Sequence, residues 1–278
     1  MKKVLFFVLA IIATSANAQD NQQLPDCLRT SSFRKSGYNG LVERMLLPLS
    51  DDAGNLDTAD KQIWGFISTP SFSPEESVYC TKTKSGYKLV LCQPQKNIWY
   101  AARDITYDMI ESTSPNGIKS VSMVRNNVSW DDVNLKMKVS KKELAVNEEQ
   151  VSILSLLFKE AITTSTSLLS AQEFYTIELN ENGQKTINKS WGLDGVTTMF
   201  FYDGYVAECW SPKGGKLKQL VEITRKMKDA VEKNDNTIIQ DFLIEASTLT
   251  AQFQEQTSDW EKEYLELSKR SNSSFELE

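Results

Sequence analysis

Two tight-turn dipeptides, with the helical stripes that flank them, constrain the fold of this chain most. Asn182-Gly183 separates runs 174–179 and 184–189, and Asp203-Gly204 separates runs 197–202 and 205–210. Asn-Gly and Asp-Gly supply the two positive-φ positions of a type I′ turn, so each pair of runs reads as an antiparallel hairpin. A third hairpin is expected around Lys84-Ser85-Gly86, joining 78–82 to 87–92. Further strands are expected at 63–67, 97–101, 105–110 and 118–124, the last after the turn signal Pro115-Asn116-Gly117. Leu135-Lys136-Met137-Lys138-Val139 alternates with period two and predicts a half-buried strand.

Helical spacing takes over on either side of the later hairpins. Asn147 is an N-cap candidate with Gln150 at the capping-box position, and Val151, Leu154, Phe158 and Ile162 follow at helical intervals. From Lys216 onward, Leu217, Leu220, Val221, Thr224, Met227 and Val231 form one stripe, broken at Asn234-Asp235-Asn236. A second stripe runs through Ile239, Phe242, Ala246, Leu249, Phe253, Gln256, Trp260, Tyr264 and Leu267. The pair predicts an antiparallel helical hairpin. Strands in runs and helices in runs, without strict alternation, place the chain in the α+β class. The expected architecture is mainly antiparallel β-hairpins with one central helix and a C-terminal helical hairpin.

The organisation reads as a signal peptide over 1–18, an N-terminal loop and short-helix segment over 19–62, and a β-rich part over 63–145. A helix, two hairpins and the helical hairpin fill 146–268, either as one domain with the β-rich part or apart from it. A disordered tail is expected over 269–278. The signal-peptide reading rests on Lys2-Lys3, the apolar run 4–13 and the small-x-small site Ala16-Asn17-Ala18. The apolar run is half the length a spanning helix needs. The expectation is an exported bacterial protein, periplasmic or secreted, cleaved near Ala18, with no transmembrane segment in the mature chain. Removing residues 1–18 from 278 leaves 260 and takes the formal charge from −6 to −8. That balance argues against nucleic acid as a partner.

There is no histidine in the chain. Ser-His-Asp and Cys-His catalysis and His-ligated zinc sites are therefore excluded. The four cysteines, in an exported chain, suggest disulfides. A three-residue loop at 85–87 would set Cys80 opposite Cys92, which makes that pair the expected bridge, with Cys27–Cys209 as the remainder.

Other chemistry is sparse. Ser32-Phe33-Arg34-Lys35 fits the S-x-x-K pattern of serine acylases, but the accompanying boxes fall in the wrong order, and it is read as chance. Adjacent carboxylates occur at Asp51/Asp52, Glu75/Glu76, Asp131/Asp132 and Glu148/Glu149. A carboxylate hydrolase needs two acids facing one bond from distant segments, for which Asp131 with Asp194 is one pairing. Asp52, Asn55, Asp57 and Asp60 make an oxygen-rich turn that fails an EF-hand register. Trp99, Tyr100, Trp191 and Trp210 are the candidate ligand-binding aromatics, against a plainer role in sheet packing. Phe253, Trp260 and Tyr264 are the candidate partner-binding residues, and the C-terminal helix also offers a route to self-association. No catalytic, metal or cofactor site is assigned. The sequence therefore reads as an exported envelope protein that binds an envelope protein or an extracellular ligand, with a carboxylate hydrolase or a self-associating structural protein as alternatives.

Overall fold

The computed structural model describes residues 27–34, 36–47, 62–167, 173–179, 182–191, 194–255 and 266. The chain divides into two compact units. The larger begins with β1 (Arg29–Ser31), α1 (Gly37–Leu46), β2 (Gln62–Pro70), β3 (Glu76–Thr83), β4 (Gly86–Pro94), α2 (Ile98–Thr106), β5 (Tyr107–Thr113) and β6 (Lys119–Arg125). A 3-10 turn (Trp130–Asp132), β7 (Val139–Val146) and α3 (Glu148–Thr163) follow. The smaller unit contains the body of a hairpin, β8 (Glu173–Leu179) with β9 (Lys185–Trp191). The larger unit resumes with β10 (Val196–Tyr202), β11 (Tyr205–Trp210), α4 (Gly215–Lys233) and α5 (Asn236–Gln254). The class is α+β with mainly antiparallel sheet, as the order of sequence signals predicts.

Seven strands form one antiparallel sheet in the order β1-β11-β10-β2-β3-β4-β7. Strands from both halves of the sequence meet in it, because β10 pairs with β2. Side chains alternate between its faces. Trp64, Phe66, Val78, Leu89, Leu91, Leu144 and Phe200 join the core under α3, α4 and α5. Ile67, Tyr79, Val90, Met199, Phe201 and Val206 join a second core under α1, α2 and the 3-10 turn. The sheet is thus covered on both faces.

The helices start where their caps allow. The Asn147 side chain accepts from the Gln150 backbone N–H while the Gln150 side chain accepts from the Asn147 N–H, a full capping box. Asn234 adopts the left-handed region at φ 52°, ends α4 and lets α5 double back against it.

Several expectations are corrected. Residues 97–101 are not a strand: α2 begins at Ile98 because Asn97 caps it and the Glu75 carboxylate accepts from the Ile98 and Trp99 N–H groups. The polar stretch before α1 contains β1, which pairs with β11. Residues 133–138 make no ladder, yet Leu135, Met137 and Val139 are half-buried while Lys136 and Lys138 are exposed, so the burial alternates without a strand. Segments 105–110 and 118–124 do not enter the main sheet. They give the end of α2 and a separate two-stranded arm, β5–β6.

Neither expected disulfide is formed. The β3–β4 turn pairs Thr83 with Gly86, so Cys80 faces Leu89 and Cys92 faces Ser77. That register differs from the expected one by three residues, and an odd shift reverses the face. Cys80 lies in the core under α3–α5 and Cys92 in the core under α1 and α2. Cys27 and Cys209 are also buried thiols. Arg29 pairs with Glu208, so continuing that ladder would set Leu28, not Cys27, beside Cys209. Peptide mapping of protein purified without reductant should recover Cys80 and Cys92 unlinked; a peptide joining them would refute this register.

One glycine is a packing requirement. A Cβ at Gly65 would lie 2.5 Å from the Val78 carbonyl oxygen, 2.5 Å from Phe201 Cζ and 2.8 Å from Tyr79 Cα. Backbone cannot yield there as a side-chain tip can. Gly65→Ala should cost about 3 kcal/mol or prevent folding, read as the shift in urea midpoint; an unchanged midpoint would contradict the β2–β3 packing.

Candidate functional site

A cavity of about 490 Å³ lies on the sheet face that carries α1 and α2. Its floor is the row of three strands that faces α1 and α2: Ile67 and Thr69 of β2, Thr197 and Met199 of β10, and Glu208 and Trp210 of β11. Alternation puts these residues on one face. The α1 residues Tyr38, Asn39, Val42 and Glu43 form one wall, and Trp99 of α2 and Arg34 complete it.

The aromatic walls are held in place. Trp99 stacks on Trp130 with centroids 5.3 Å apart and planes at 22°. Tyr38 meets both rings edge-on. The Tyr38 hydroxyl donates to Glu75 at 2.5 Å, and burial, reinforced by the Glu75 charge, pushes its ionisation far above the ordinary range. Tyr38 therefore acts as a neutral donor. Trp210 rests against the Gly195 backbone, where a Cβ would come within 2.6 Å of the indole ring.

Two carboxylates from distant parts of the chain reach this cavity. Glu208 is buried and ion-paired with Arg29 of the neighbouring strand. Glu43 is only 3% exposed. Its Oε2 accepts the Arg34 backbone N–H at 2.8 Å. Its Oε1 is buried and has no hydrogen-bond partner. Burial pushes the Glu43 carboxyl up to about 7, against the opposing pull of the Arg34 N–H and of the Arg34 and Arg44 charges. A half-satisfied buried carboxyl on a cavity wall is an unusual expense in a fold. Such groups concentrate where ligands bind or protons move.

The structure brings together two of the four aromatics singled out from sequence, Trp99 and Trp210. Tyr100 points away, 37% exposed, with the Arg103 guanidinium 5.2 Å from its ring. Trp191 closes β9, and its side chain lies outside the described residues. Phe253 is corrected as a partner-binding residue: it is fully buried in the core of α4, α5 and the sheet. Trp260 and Tyr264 lie outside the described residues, as do Lys35 and the oxygen-rich turn at 52–60. Asp131 accepts from the Gly37 N–H and faces Arg44, and neither it nor Asp194 is on the cavity wall. Among the described residues no cluster of three metal-ligating acids or thiols occurs.

Glu43 and Glu208 were missed at the sequence level, though a trace of each is visible. Glu43 follows Val42 and lies one turn before Leu46 on α1, and Glu208 sits between Val206 and Trp210 on the inward row of a strand. A carboxylate at a position the pattern reserves for core is the signal. No known protein family, curated protein or solved structure matches the chain.

The shift at Glu43 predicts a pH dependence of stability. Its folded-state value lies above the ordinary carboxyl, so the stabilisation is complete below about 4.5 and is lost as pH rises through about 7. Glu43→Gln keeps an acceptor for Arg34 and mimics the neutral form. The wild type should lose thermal stability relative to Glu43→Gln between about pH 5 and about pH 8. Parallel melting curves across that range would show that Glu43 is solvated.

Proposed function

We propose that this is an exported binding protein whose cavity takes a small hydroxylated ligand with one apolar face, a sugar-like molecule. The observation that carries the reading is Glu43: buried on the cavity wall, with Oε1 unpartnered. A hydroxyl donating to that oxygen would relieve the cost of its burial. Thr69, Ser71, Thr197 and Asn39 offer further hydrogen-bonding groups on the same walls, and the Trp99 and Trp210 rings offer apolar faces. Few polar groups set among apolar walls are the usual make-up of a small-ligand site. Export rests on the N-terminal signal pattern of Lys2-Lys3 and the 4–13 run. Among the described residues no helix is long and apolar enough to cross a membrane.

A second reading, a carboxylate-dependent hydrolase, is favoured by the pairing of Glu43 with Glu208. One acid is held toward its neutral form and the other is ion-paired, and they come from α1 and β11 to one cavity. Opposed environments of this kind separate a proton donor from a charged partner.

A panel of mono- and disaccharides, measured by calorimetry and by product analysis after long incubation, tests both. Binding without turnover, weakened about 10-fold or more by Glu43→Gln, is the expected result. Turnover lost in both Glu43→Gln and Glu208→Gln would establish the hydrolase instead. No binding by any member of the panel would refute the sugar-like ligand.

A further inference from the structure

The β5–β6 arm carries a second surface, independent of the cavity. It is a two-stranded antiparallel hairpin whose register runs from Tyr107↔Arg125 to Thr113↔Lys119. Its root is fixed: the Asn126 N–H donates to the Thr106 carbonyl at 3.0 Å, the Asn126 side chain donates to the Ile105 carbonyl at 2.8 Å, and Tyr107 packs on the core under α2. Beyond that root every residue of both strands is exposed. An isolated two-stranded hairpin is marginal in water, and large apolar side chains on it stabilise nothing while they face solvent.

The two faces differ. One carries Asp108, Ile110, Ser112, Ser120, Ser122 and Val124, with Ser112 and Ser120 hydrogen-bonded at 2.7 Å. The other carries, row by row, Tyr107/Arg125, Met109/Met123, Glu111/Val121 and Thr113/Lys119. Met109 and Met123 are each 52% exposed and Val121 57%. The first face has Ile110 and Val124, 49% and 45% exposed, as its large apolar residues; the second face has more of them, and its charges are of both signs. Among the described residues, neither Glu111 nor Arg125 has an ion-pair partner.

We propose that this face docks on the same face of a second copy of the chain. A two-fold axis across the strands at the Met109/Met123 row stacks methionines on methionines, a packing that unbranched side chains accommodate readily. The same axis sets each Tyr107/Arg125 row against the Glu111/Val121 row of the other copy, so Glu111 comes within reach of Arg125 of the second copy, twice over. The face is thereby complementary to itself in shape and in charge. A lipid surface fits less well, because both strand edges of the arm have unpaired backbone groups that a bilayer interior would leave unsatisfied.

Sedimentation velocity of the full mature chain over a range of concentrations tests the proposal. A monomer–dimer equilibrium is expected. Glu111→Arg and Arg125→Glu should each weaken it about 10-fold or more, and the double exchange Glu111→Arg/Arg125→Glu should restore it. Met109→Glu should abolish it without changing the circular dichroism or the cavity's ligand affinity, since the residue is exposed and is not one of those that line the cavity. A chain that is monomeric at every concentration overturns the proposal. So does a dimer indifferent to Met109→Glu, and so does a monomer that floats with phosphatidylcholine vesicles through Met109.

Discussion

The Glu75 carboxylate ties three parts of the molecule together at a point with no access to water. It precedes β3 and is fully buried. One of its oxygens accepts the Ile98 N–H at 2.6 Å, and the other accepts the Trp99 N–H at 3.1 Å and the Tyr38 hydroxyl at 2.5 Å. A buried charge is tolerable only when it is hydrogen-bonded, and the start of a helix offers N–H groups with no other partner. Asn97 completes the join: its Oδ1 accepts from Tyr100 and its Nδ2 donates to the Ser73 carbonyl. Together these bonds fix α1 and α2 over the sheet. Tyr38 and Trp99, which form the cavity walls, are therefore set by the same carboxylate that starts α2.

Glu43 shows the opposite arrangement a short distance along the chain. Both acids are buried under the same layer, but Glu75 has three donors and Glu43 has one. Two of the cavity's wall residues, Tyr38 and Trp99, are bonded to Glu75. The bonds to Glu75 tie α1 and α2 to the sheet, while Oε1 of Glu43 in the same layer is left without a hydrogen-bond partner. This is why the functional reading rests on Glu43 and not on the aromatics alone, whose stacking would be equally at home in a plain core.

The sequence revealed the elements more readily than their faces. The capping box at Asn147–Gln150, the turns at Asp203-Gly204 and Asn234, and the α4 stripe are local chemistry, and each is found where its residues predict. Errors arose where the answer depended on a distant residue or on parity. Residues 97–101 have strand-like composition, and only Glu75 and Asn97 make them the start of a helix. In the β3–β4 hairpin both strands were foreseen, but a shift of three residues sent Cys80 and Cys92 to opposite faces. Both segments of the arm show the residue types of ordinary strands. Nothing in their own pattern says that they pair only with each other, because apolar residues on an exposed strand and on a buried one look alike.

The two faces of the main sheet divide the work. The face under α3, α4 and α5 is closed by long helices whose stripes fill it with Phe158, Phe242, Leu249 and Phe253, so it supplies most of the apolar burial. The other face is covered by short helices and irregular chain, held by their own apolar core and by polar ties such as Glu75. A thin, tied layer leaves room that interdigitating long helices would fill. The cavity and the root of the arm both belong to this layer, where α2 ends and β5 begins. The same economy of cover that opens a pocket thus also releases a hairpin into solvent. Function in this fold should be sought first on the face under α1 and α2, because the cavity there, about 490 Å³, is more than twice the volume of the one, about 210 Å³, that Val196 and Thr198 of β10 share with Lys218, Val221 and Arg225 of α4.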